Sequence, residues 1–465
     1  MLLFPEAAKI LGTKPEFEKN FPILGASIDT RKVEPGNLFV AIQGARDDGH
    51  RFLEDAFRKG ASGALVQREY FNAHKSSLDP ALFKNLLPVE NTCQAFAVLA
   101  AGWRSRLSLK AVGITGSVGK TSTKEFLSYF LRQKLKVLST EGNFNNELGL
   151  PLTLFRLRED HQVCVAELGA SHIGDIRFLT SLLKPTHAIL TQVSPVHVEG
   201  FGSLQAIYDA KLEIVESLAA GSVAVLPDHD PVLLEKAGHF PAKIILAGQT
   251  PQADYFLSEV ECEDSRVSFK VNGRQFSFPG LAAFLAKNAA MAIAMAEQIG
   301  VPMENLPSEW DDFKLPAGRF QEQSFNGLRI IFDGYNASPA SFEAALESFC
   351  ELKTTGRKIL VFADMLELGP DERMYHEELG IKIAKCDFDL IVGYGLRAQV
   401  SVAATRDEND AVSAEHFPCA QGAAQFLKDQ VREGDTILFK ASRGMKIEEV
   451  LEELKQKDAK VYVPR

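Results

Sequence analysis

Gly113-Ile114-Thr115-Gly116-Ser117-Val118-Gly119-Lys120-Thr121-Ser122 decides the reading of this chain. The apolar run feeding it, residues 111–115, reads as a buried strand, and the amphipathic stretch 121–134 leaving it reads as a helix. A glycine-rich turn between a strand and a helix is where a phosphate loop belongs. Gly116 and Gly119 let the backbone wrap phosphate oxygens, and the first amides of the helix point at the anion. Ser117, Val118 and Ser122 complete the expected ATP cradle. Lys120 adds a positive charge for the β- and γ-phosphates, and Thr121 offers a hydroxyl to Mg²⁺. The general pattern has glycine at position 114, where this chain has Ile114, so the loop takes the form Thr-Gly-x-x-Gly-Lys-Thr. A turn that binds no nucleotide is the plain alternative, and it leaves a lysine at a helix start unexplained.

Outward from the loop, apolar runs at 163–168, 188–192 and 223–226 alternate with helical patterns, which implies a parallel sheet with helices on both faces. Leu315-Pro316-Ala317-Gly318 reads as a linker. Beyond it the same grammar repeats. Strands are expected at 328–333, 358–363, 390–393 and 436–440, with a closing helix at 447–456. This is a second doubly wound unit, in which ligands bind at the carboxyl ends of the strands. Upstream, strands at 38–42 and 64–67 and helices at 51–59 and 92–104 form a small α/β module. The expected architecture is therefore α/β in three domains, 1–106, 107–316 and 317–465: a small N-terminal module, a central phosphate-loop domain and a Rossmann-like C-terminal domain.

The net charge of −10 opposes a general nucleic-acid function, which needs a basic surface. The six cysteines are scattered with no C-x-x-C pair, which opposes a zinc site and a disulfide framework and suits a reducing compartment. The N-terminal Met1-Leu2-Leu3-Phe4-Pro5-Glu6 lacks the features of a secretory signal. The most apolar stretch, residues 281–296, is interrupted by Lys287 and Asn288 and is too short to span a bilayer. A cytoplasmic protein without membrane insertion is expected.

ATP chemistry needs metal and a means of neutralising the γ-phosphate. Glu167 ends the 163–168 strand and precedes Gly169, so it should project at the sheet's active edge. His197 follows the 188–192 strand, and Lys211 lies on the next helix. Singly, each has an ordinary reading as a surface acid, a solvated loop histidine and a solvated helical lysine. Their order along the chain is what makes them candidates.

Several further blocks are specific. They are Gly142-Asn143-Phe144-Asn145-Asn146, Glu167-Leu168-Gly169-Ala170-Ser171-His172, His197-Val198-Glu199-Gly200-Phe201-Gly202, Asp333-Gly334-Tyr335-Asn336-Ala337-Ser338-Pro339, Asp364-Met365-Leu366-Glu367-Leu368-Gly369 with His376, and Lys440-Ala441-Ser442-Arg443. Asp29-Thr30-Arg31, with Pro35-Gly36 and Asp48-Gly49-His50, belongs with them upstream. Together with the phosphate loop these resemble the motifs of the Mur ligases over essentially the whole chain, and most closely their D-alanyl-D-alanine-adding branch. The resemblance implies a peptidoglycan-synthesis ligase that uses ATP to join D-Ala-D-Ala to a UDP-MurNAc-tripeptide through an acyl phosphate. It implies Lys120, Glu167, His197 and Lys211 as the catalytic set. Thr121, Glu167, His197 and a Lys211 carbamate formed from CO₂ would hold two Mg²⁺ ions. Asn288, Arg319, Asp333, Tyr335 and Asn336 would contact ATP. Asp29, Thr30 and Arg31 would hold the UDP moiety, and Ser442 and Arg443 the dipeptide. A monomer is expected.

The chain departs from the family pattern after Pro279-Gly280. A His-Asn pair is usual there, and Leu281-Ala282-Ala283-Phe284-Leu285-Ala286-Lys287-Asn288 keeps only the later asparagine. The family's asparagine near Leu226 is replaced within Leu226-Pro227-Asp228-His229-Asp230. Two other readings stand beside the main one. A sister ligase would add a single amino acid, but it carries an Asp-Tyr-Ala-His block where this chain has Asp333-Gly334-Tyr335-Asn336. A non-catalytic nucleotide-sugar-binding protein would rest on the missing His-Asn pair alone.

Overall fold

The computed structural model describes residues 2–13, 20–44, 47–74, 76 and 79–456. Two short strands, β1 (Leu2–Leu3) and β2 (Pro22–Ile23), pair antiparallel at the start. The first sheet follows with β3 (Gly25–Ser27), β4 (Asn37–Val40), β5 (Gly63–Gln67) and β6 (Leu86–Val89), parallel and in that order. All four residues of β4 and of β6 are buried, as in a parallel sheet covered on both faces. Asn91 caps the helix Thr92–Arg104 by accepting from the Gln94 amide at 2.9 Å. That helix also ties this sheet to the next. Phe96 stacks on Phe155 with ring centroids 5.3 Å apart, and Trp103 donates to the Leu157 carbonyl at 3.2 Å.

The central sheet has nine strands: β7 (Lys110–Thr115), β8 (Val137–Ser139), β9 (Val163–Glu167), β10 (His187–Leu190), β11 (Val223–Pro227), β12 (Lys243–Gly248), β13 (Tyr255–Glu263), β14 (Arg266–Val271) and β15 (Arg274–Pro279). Their order is β15-β14-β13-β12-β11-β10-β7-β9-β8. β7 lies between β10 and β9, parallel to both, which puts the phosphate loop beside the carboxyl ends of its neighbours. The apolar stretch around 281–296 becomes the helix Leu285–Ile299, with Ala289, Ala290, Ile293 and Ala294 fully buried against the sheet and the loop's own helix Lys120–Arg132. Trp310 is fully buried too. Its ring lies parallel to Phe278 at 5.4 Å, and Phe126 stacks on Phe313 at 4.5 Å. This aromatic cluster fastens the chain just before residue 314 to the central unit.

The parallel core is as the sequence implies, but the sequence reading placed no strands between 227 and 321. There β12, β13, β14 and β15 extend the sheet, and the last two are antiparallel to their neighbours. Outer residues of β13 alternate between exposed and half-buried, so they lack the continuous apolar run of a doubly covered strand. The turn joining β14 to β15 is Asn272-Gly273, both at positive φ (48° and 81°), the two-residue hairpin that Asn-Gly favours.

The third sheet contains β16 (Gln321–Phe325), β17 (Leu328–Asp333), β18 (Lys358–Ala363), β19 (Leu390–Tyr394), β20 (Ser413–Phe417) and β21 (Thr436–Lys440), in the order β16-β17-β21-β18-β19-β20. It is parallel except for β16, which returns through the Asn326-Gly327 turn. The edge strands β16 and β20 were not read from the sequence. No helix among the described residues is long and apolar enough to cross a membrane.

Candidate active site beneath the third sheet

The phosphate loop takes the conformation its glycines permit. Gly116 has φ +143°, and a Cβ there would lie 2.0 Å from Thr191 Oγ1. That hydroxyl is held in place, donating to the Val118 carbonyl at 2.7 Å. Gly119 has φ +90° and precedes the helix, with Asn288 Oδ1 only 2.5 Å from where its Cβ would stand. Asn288 and Gly119 thus pack together behind the loop, and Ser122 is buried on the following helix. Ser117 fastens the loop to the end of β10: its amide donates to the Gln192 carbonyl at 2.8 Å, and its hydroxyl to the Ser194 carbonyl at 2.8 Å. Lys120 Nζ curls back to donate to the Gly116 and Ser117 carbonyls at 2.7 and 3.0 Å. Burial pulls its pKa down to about 8, aided by Arg319 and opposed by Glu167.

Glu167 ends β9 and is buried. Its amide donates to Thr140 Oγ1 at 3.1 Å, and its Oε1 accepts from Asn145 Nδ2 at 2.8 Å. Its Oε2 is buried with no hydrogen-bond partner among the described residues. A buried carboxylate oxygen without a donor is costly and calls for a cation. Lys211, on the helix Leu204–Glu216, is 1% exposed, and its Nζ stands 5.3 Å above the Phe201 ring. Desolvation, with Lys120 adding to it, lowers the Lys211 pKa to about 7 against the opposing charges of Asp175 and Glu213. His197 has φ +50° and bonds through Nδ1 to Glu367. Burial lowers its pKa, with Glu367 opposing.

The described residues contain no group of three or more His, Cys, Asp or Glu that could hold a metal by themselves. The donors present still suit Mg²⁺, which at nucleotide sites takes one or two carboxylates and fills its remaining positions with phosphate oxygens and water. Glu167 Oε2 is such a carboxylate oxygen, and the Thr121 hydroxyl and His197 line the same cleft.

The third sheet roofs this floor. Arg319 donates to Thr121 Oγ1 at 2.9 Å while its guanidinium lies 3.9 Å from the centroid of the Tyr335 ring. The cleft between them, open on one side, has a volume of about 1100 Å³. Gly116, Ser117, Val118, Lys120 and Thr121 line it from the loop, and Glu167, His197 and Lys211 from the strand ends and helix beyond. Arg319, Tyr335, Asn336, Ser442 and Arg443 line it from above. Asp333 is set back from it, its carboxylate taken by Lys440 Nζ at 2.5 Å and the Phe320 amide at 3.2 Å. Ser442 Oγ accepts from the Leu366 amide at 2.9 Å, so it also shapes the neighbouring loop.

Asp29, Thr30 and Arg31 lie outside the cleft. Asp29 caps the turn Thr30–Lys32, and its bidentate pairing with Arg31 holds its pKa down to about 2. The next residue, Lys32, sits 5.8 Å over the Phe144 ring, and the flanking Asn143 and Asn145 line the cleft. The upstream module therefore abuts the cleft's entrance. Two residues were not singled out individually from the sequence, Asn145 and Glu367. Both belonged to recognised blocks, but only the fold shows that they hold Glu167 and His197.

Three family profiles match successive parts of the chain: Mur ligase family, catalytic domain, over residues 22–104; Mur ligase middle domain over 114–296; and Mur ligase, glutamate ligase domain, over 318–443. A UDP-N-acetylmuramoyl-tripeptide--D-alanyl-D-alanine ligase of Bacillus subtilis is 35% identical over 455 residues, 96% of this chain and 97% of that protein. The crystal structure of the MurF ligase from Thermotoga maritima in complex with ADP superimposes with a TM-score of 0.79 at 29% identity, covering 94% of this chain and 98% of the other. A crystal structure of MurF from Acinetobacter baumannii does so with a TM-score of 0.82 at 27% identity, covering 97% and 98%.

Proposed function

This chain belongs to the Mur ligase family, and on that premise we propose that it joins D-alanyl-D-alanine to UDP-N-acetylmuramoyl-tripeptide at the expense of ATP. One observation carries the reading beyond family membership. Lys120, Glu167, His197 and Lys211 converge in one cleft that Arg319 and Tyr335 cover in part from above. A nucleotide switch has no need of that roof, whereas a ligase must keep water from an activated carboxyl group.

In the reading we favour, the terminal carboxylate of the tripeptide attacks the γ-phosphorus of ATP. The bond to the β-phosphate oxygen breaks, giving ADP and an acyl phosphate. The dipeptide amine then attacks the acyl carbon, the carbon–oxygen bond to phosphate breaks, and the amine proton is lost. Lys120 and Arg319 place positive charge against the phosphates as negative charge moves. Bound Mg²⁺ would supply further neutralisation, held by Glu167, Thr121 and His197. Lys211 suits carbamylation: an amine with a pKa near 7 is substantially unprotonated at neutral pH, and only the free amine adds CO₂. The carbamate would place an anion beside the metals where the free lysine offers none.

The division of labour we infer gives UDP recognition to residues 1–106, through Asp29, Thr30 and Arg31. ATP falls to residues 107–316 together with Arg319, Tyr335 and Asn336 of the third unit. The dipeptide falls to residues 317–465, near Ser442 and Arg443. The UDP-linked acceptor, the dipeptide and ATP are all water-soluble, which suits action in the cytoplasm.

The deciding experiment measures phosphate release from ATP and Mg²⁺ with UDP-MurNAc-tripeptide, with and without D-Ala-D-Ala, and seeks the pentapeptide by mass spectrometry. Dipeptide-dependent release with pentapeptide formation is expected. Turnover with a single amino acid and a shorter acceptor instead would make this a sister ligase, and no turnover with any acceptor would refute the ligase reading.

A further inference from the structure

We propose that Glu367 is a positioning residue for the reaction: it reaches from the third unit to fix His197 and completes the central site only when the two units are docked. The inference rests on the cleft being an ATP–metal site.

The loop that carries Glu367 is built to hold it still. Asp364, at the end of β18, accepts through Oδ1 from the Arg397 and Ala398 amides at 3.0 and 2.8 Å. The next two amides are taken in turn by side chains. Met365 N–H donates to His376 Nε2 at 3.0 Å, and Leu366 N–H to Ser442 Oγ at 2.9 Å. His376 is fully buried and donates through Nδ1 to the Glu372 carbonyl at 2.7 Å, so it acts as a neutral spacer. Glu367 follows with φ +63°, a conformation that a non-glycine residue adopts only under surrounding constraint.

The contact with the central unit has two points. Glu367 bonds through its carboxylate to His197 Nδ1, and its backbone carbonyl accepts from the Val198 amide at 2.9 Å. Gly369 (φ +72°) lets the loop approach closely, since a Cβ there would stand 3.0 Å from Val198 Cγ1. His197 is itself at φ +50°. Two residues in left-handed conformations, one on each unit, thus meet side chain to side chain. A carboxylate on Nδ1 selects the tautomer that donates there and leaves Nε2 as the lone-pair nitrogen, while fixing the ring plane. The carbonyl–amide bond beside it sets how far the third unit can drift before that orientation is lost.

The test uses the full-length chain with Glu367→Ala and Glu367→Gln. Three quantities are measured: ADP affinity without metal, Mn²⁺ affinity in the presence of saturating ADP (by electron paramagnetic resonance), and kcat and KM for ligation. Metal-free ADP affinity should be the same in all three proteins. For wild type it reports on the nucleotide-site reading by itself, so failure of that reading is separable. Glu367→Ala should weaken Mn²⁺ and lower kcat, each by roughly 10–100-fold, the range typical of a lost outer-shell partner. Glu367→Gln retains an oxygen that accepts from Nδ1 and should stay within about threefold of wild type. Wild-type Mn²⁺ affinity in Glu367→Ala would overturn the proposal. So would equal impairment of both variants, because that would make charge rather than orientation the active property. Should the alanine variant not fold, the glutamine variant decides alone: near-wild-type Mn²⁺ affinity and kcat uphold the proposal, and a tenfold loss of either overturns it.

Discussion

Arg319 and Thr121 meet across the domain junction at 2.9 Å, with the Arg319 guanidinium also lying 3.9 Å from the Tyr335 ring centroid. One side chain thereby joins the helix start of the phosphate loop to the unit above it. A planar guanidinium can stack and donate at once, which an ammonium cannot. Arg319→Ala should lower kcat by about 100-fold, the scale of losing one charge-stabilising donor. Arg319→Lys should recover less than a tenth of the lost rate. Steady-state kinetics with all three substrates will decide it, and near-wild-type turnover in the lysine variant would show that stacking on Tyr335 is unimportant.

Gly116 leaves no room for a side chain. A Cβ would meet Thr191 Oγ1 at 2.0 Å, and that hydroxyl is anchored to the Val118 carbonyl. Gly116→Ala should therefore distort the loop and weaken ADP binding by ~100-fold, with the remainder of the fold intact. Calorimetric titration beside a thermal melt separates the two effects. Pairing it with Thr191→Ala should restore part of the affinity by removing the obstructing hydroxyl.

Lys211 makes stability depend on pH. Below about pH 7 the folded and unfolded chains both carry its proton, and the folded state bears the full cost of a buried ammonium. Between about 7 and the unfolded value near 10.4 the folded lysine is neutral while the unfolded one is still charged, so the unfolded chain binds more protons. Stability should rise with pH across that window, by at most about 1.4 kcal/mol per pH unit. Lys211→Met should flatten the rise, stabilise the ligand-free protein at pH 6, and abolish ligation. Denaturant midpoints at pH 6 and pH 8.5 without added bicarbonate test the linkage. In the presence of ¹³C-bicarbonate, wild type should show a carbamate carbon signal that the methionine variant lacks.

Asp29 is committed to its own turn, capping Thr30–Lys32 and pairing with Arg31. Asp29→Ala should loosen that turn and raise KM for the UDP-linked acceptor by roughly tenfold, leaving KM for ATP unchanged. An equal rise in both constants would place its effect on the whole domain rather than on acceptor recognition.

Much of this was legible before the fold was known, for identifiable reasons. The strands Leu328–Asp333, Lys358–Ala363 and Thr436–Lys440 are largely continuous apolar runs, because sheets covered on both faces demand them. The loop at Gly116–Lys120 and the acid at Glu167 could be placed because each sits at a strand's end. The hairpins β14–β15 and β16–β17 went unread although each carries an Asn-Gly turn: β14 does alternate polar and apolar residues, a period-2 signal set aside in looking for continuous apolar runs, whereas β16 is polar and half-exposed and offers no such signal. Lys211 was reached through its order along the chain after Glu167 and His197 and through the family resemblance. On sequence its helix neighbour Glu213 makes it look solvated, and nothing local reveals that it is buried. The partnerships Asn145–Glu167 and Glu367–His197 join residues 22 and 170 positions apart, so they exist only once the chain is folded.

The aromatic cluster of Phe126, Phe278, Trp310 and Phe313 has a mechanical consequence. It clamps the chain to the central unit up to residue 313, and Arg319 is already in the cleft. The fulcrum on which the third unit can swing is therefore confined to residues 314–318, ending at Gly318 with φ +75°. Arg319 adjoins that fulcrum, and a rigid swing displaces least what lies beside its pivot. Were the third unit to turn about that pivot, the Arg319–Thr121 contact would therefore be disturbed less than contacts made farther from it.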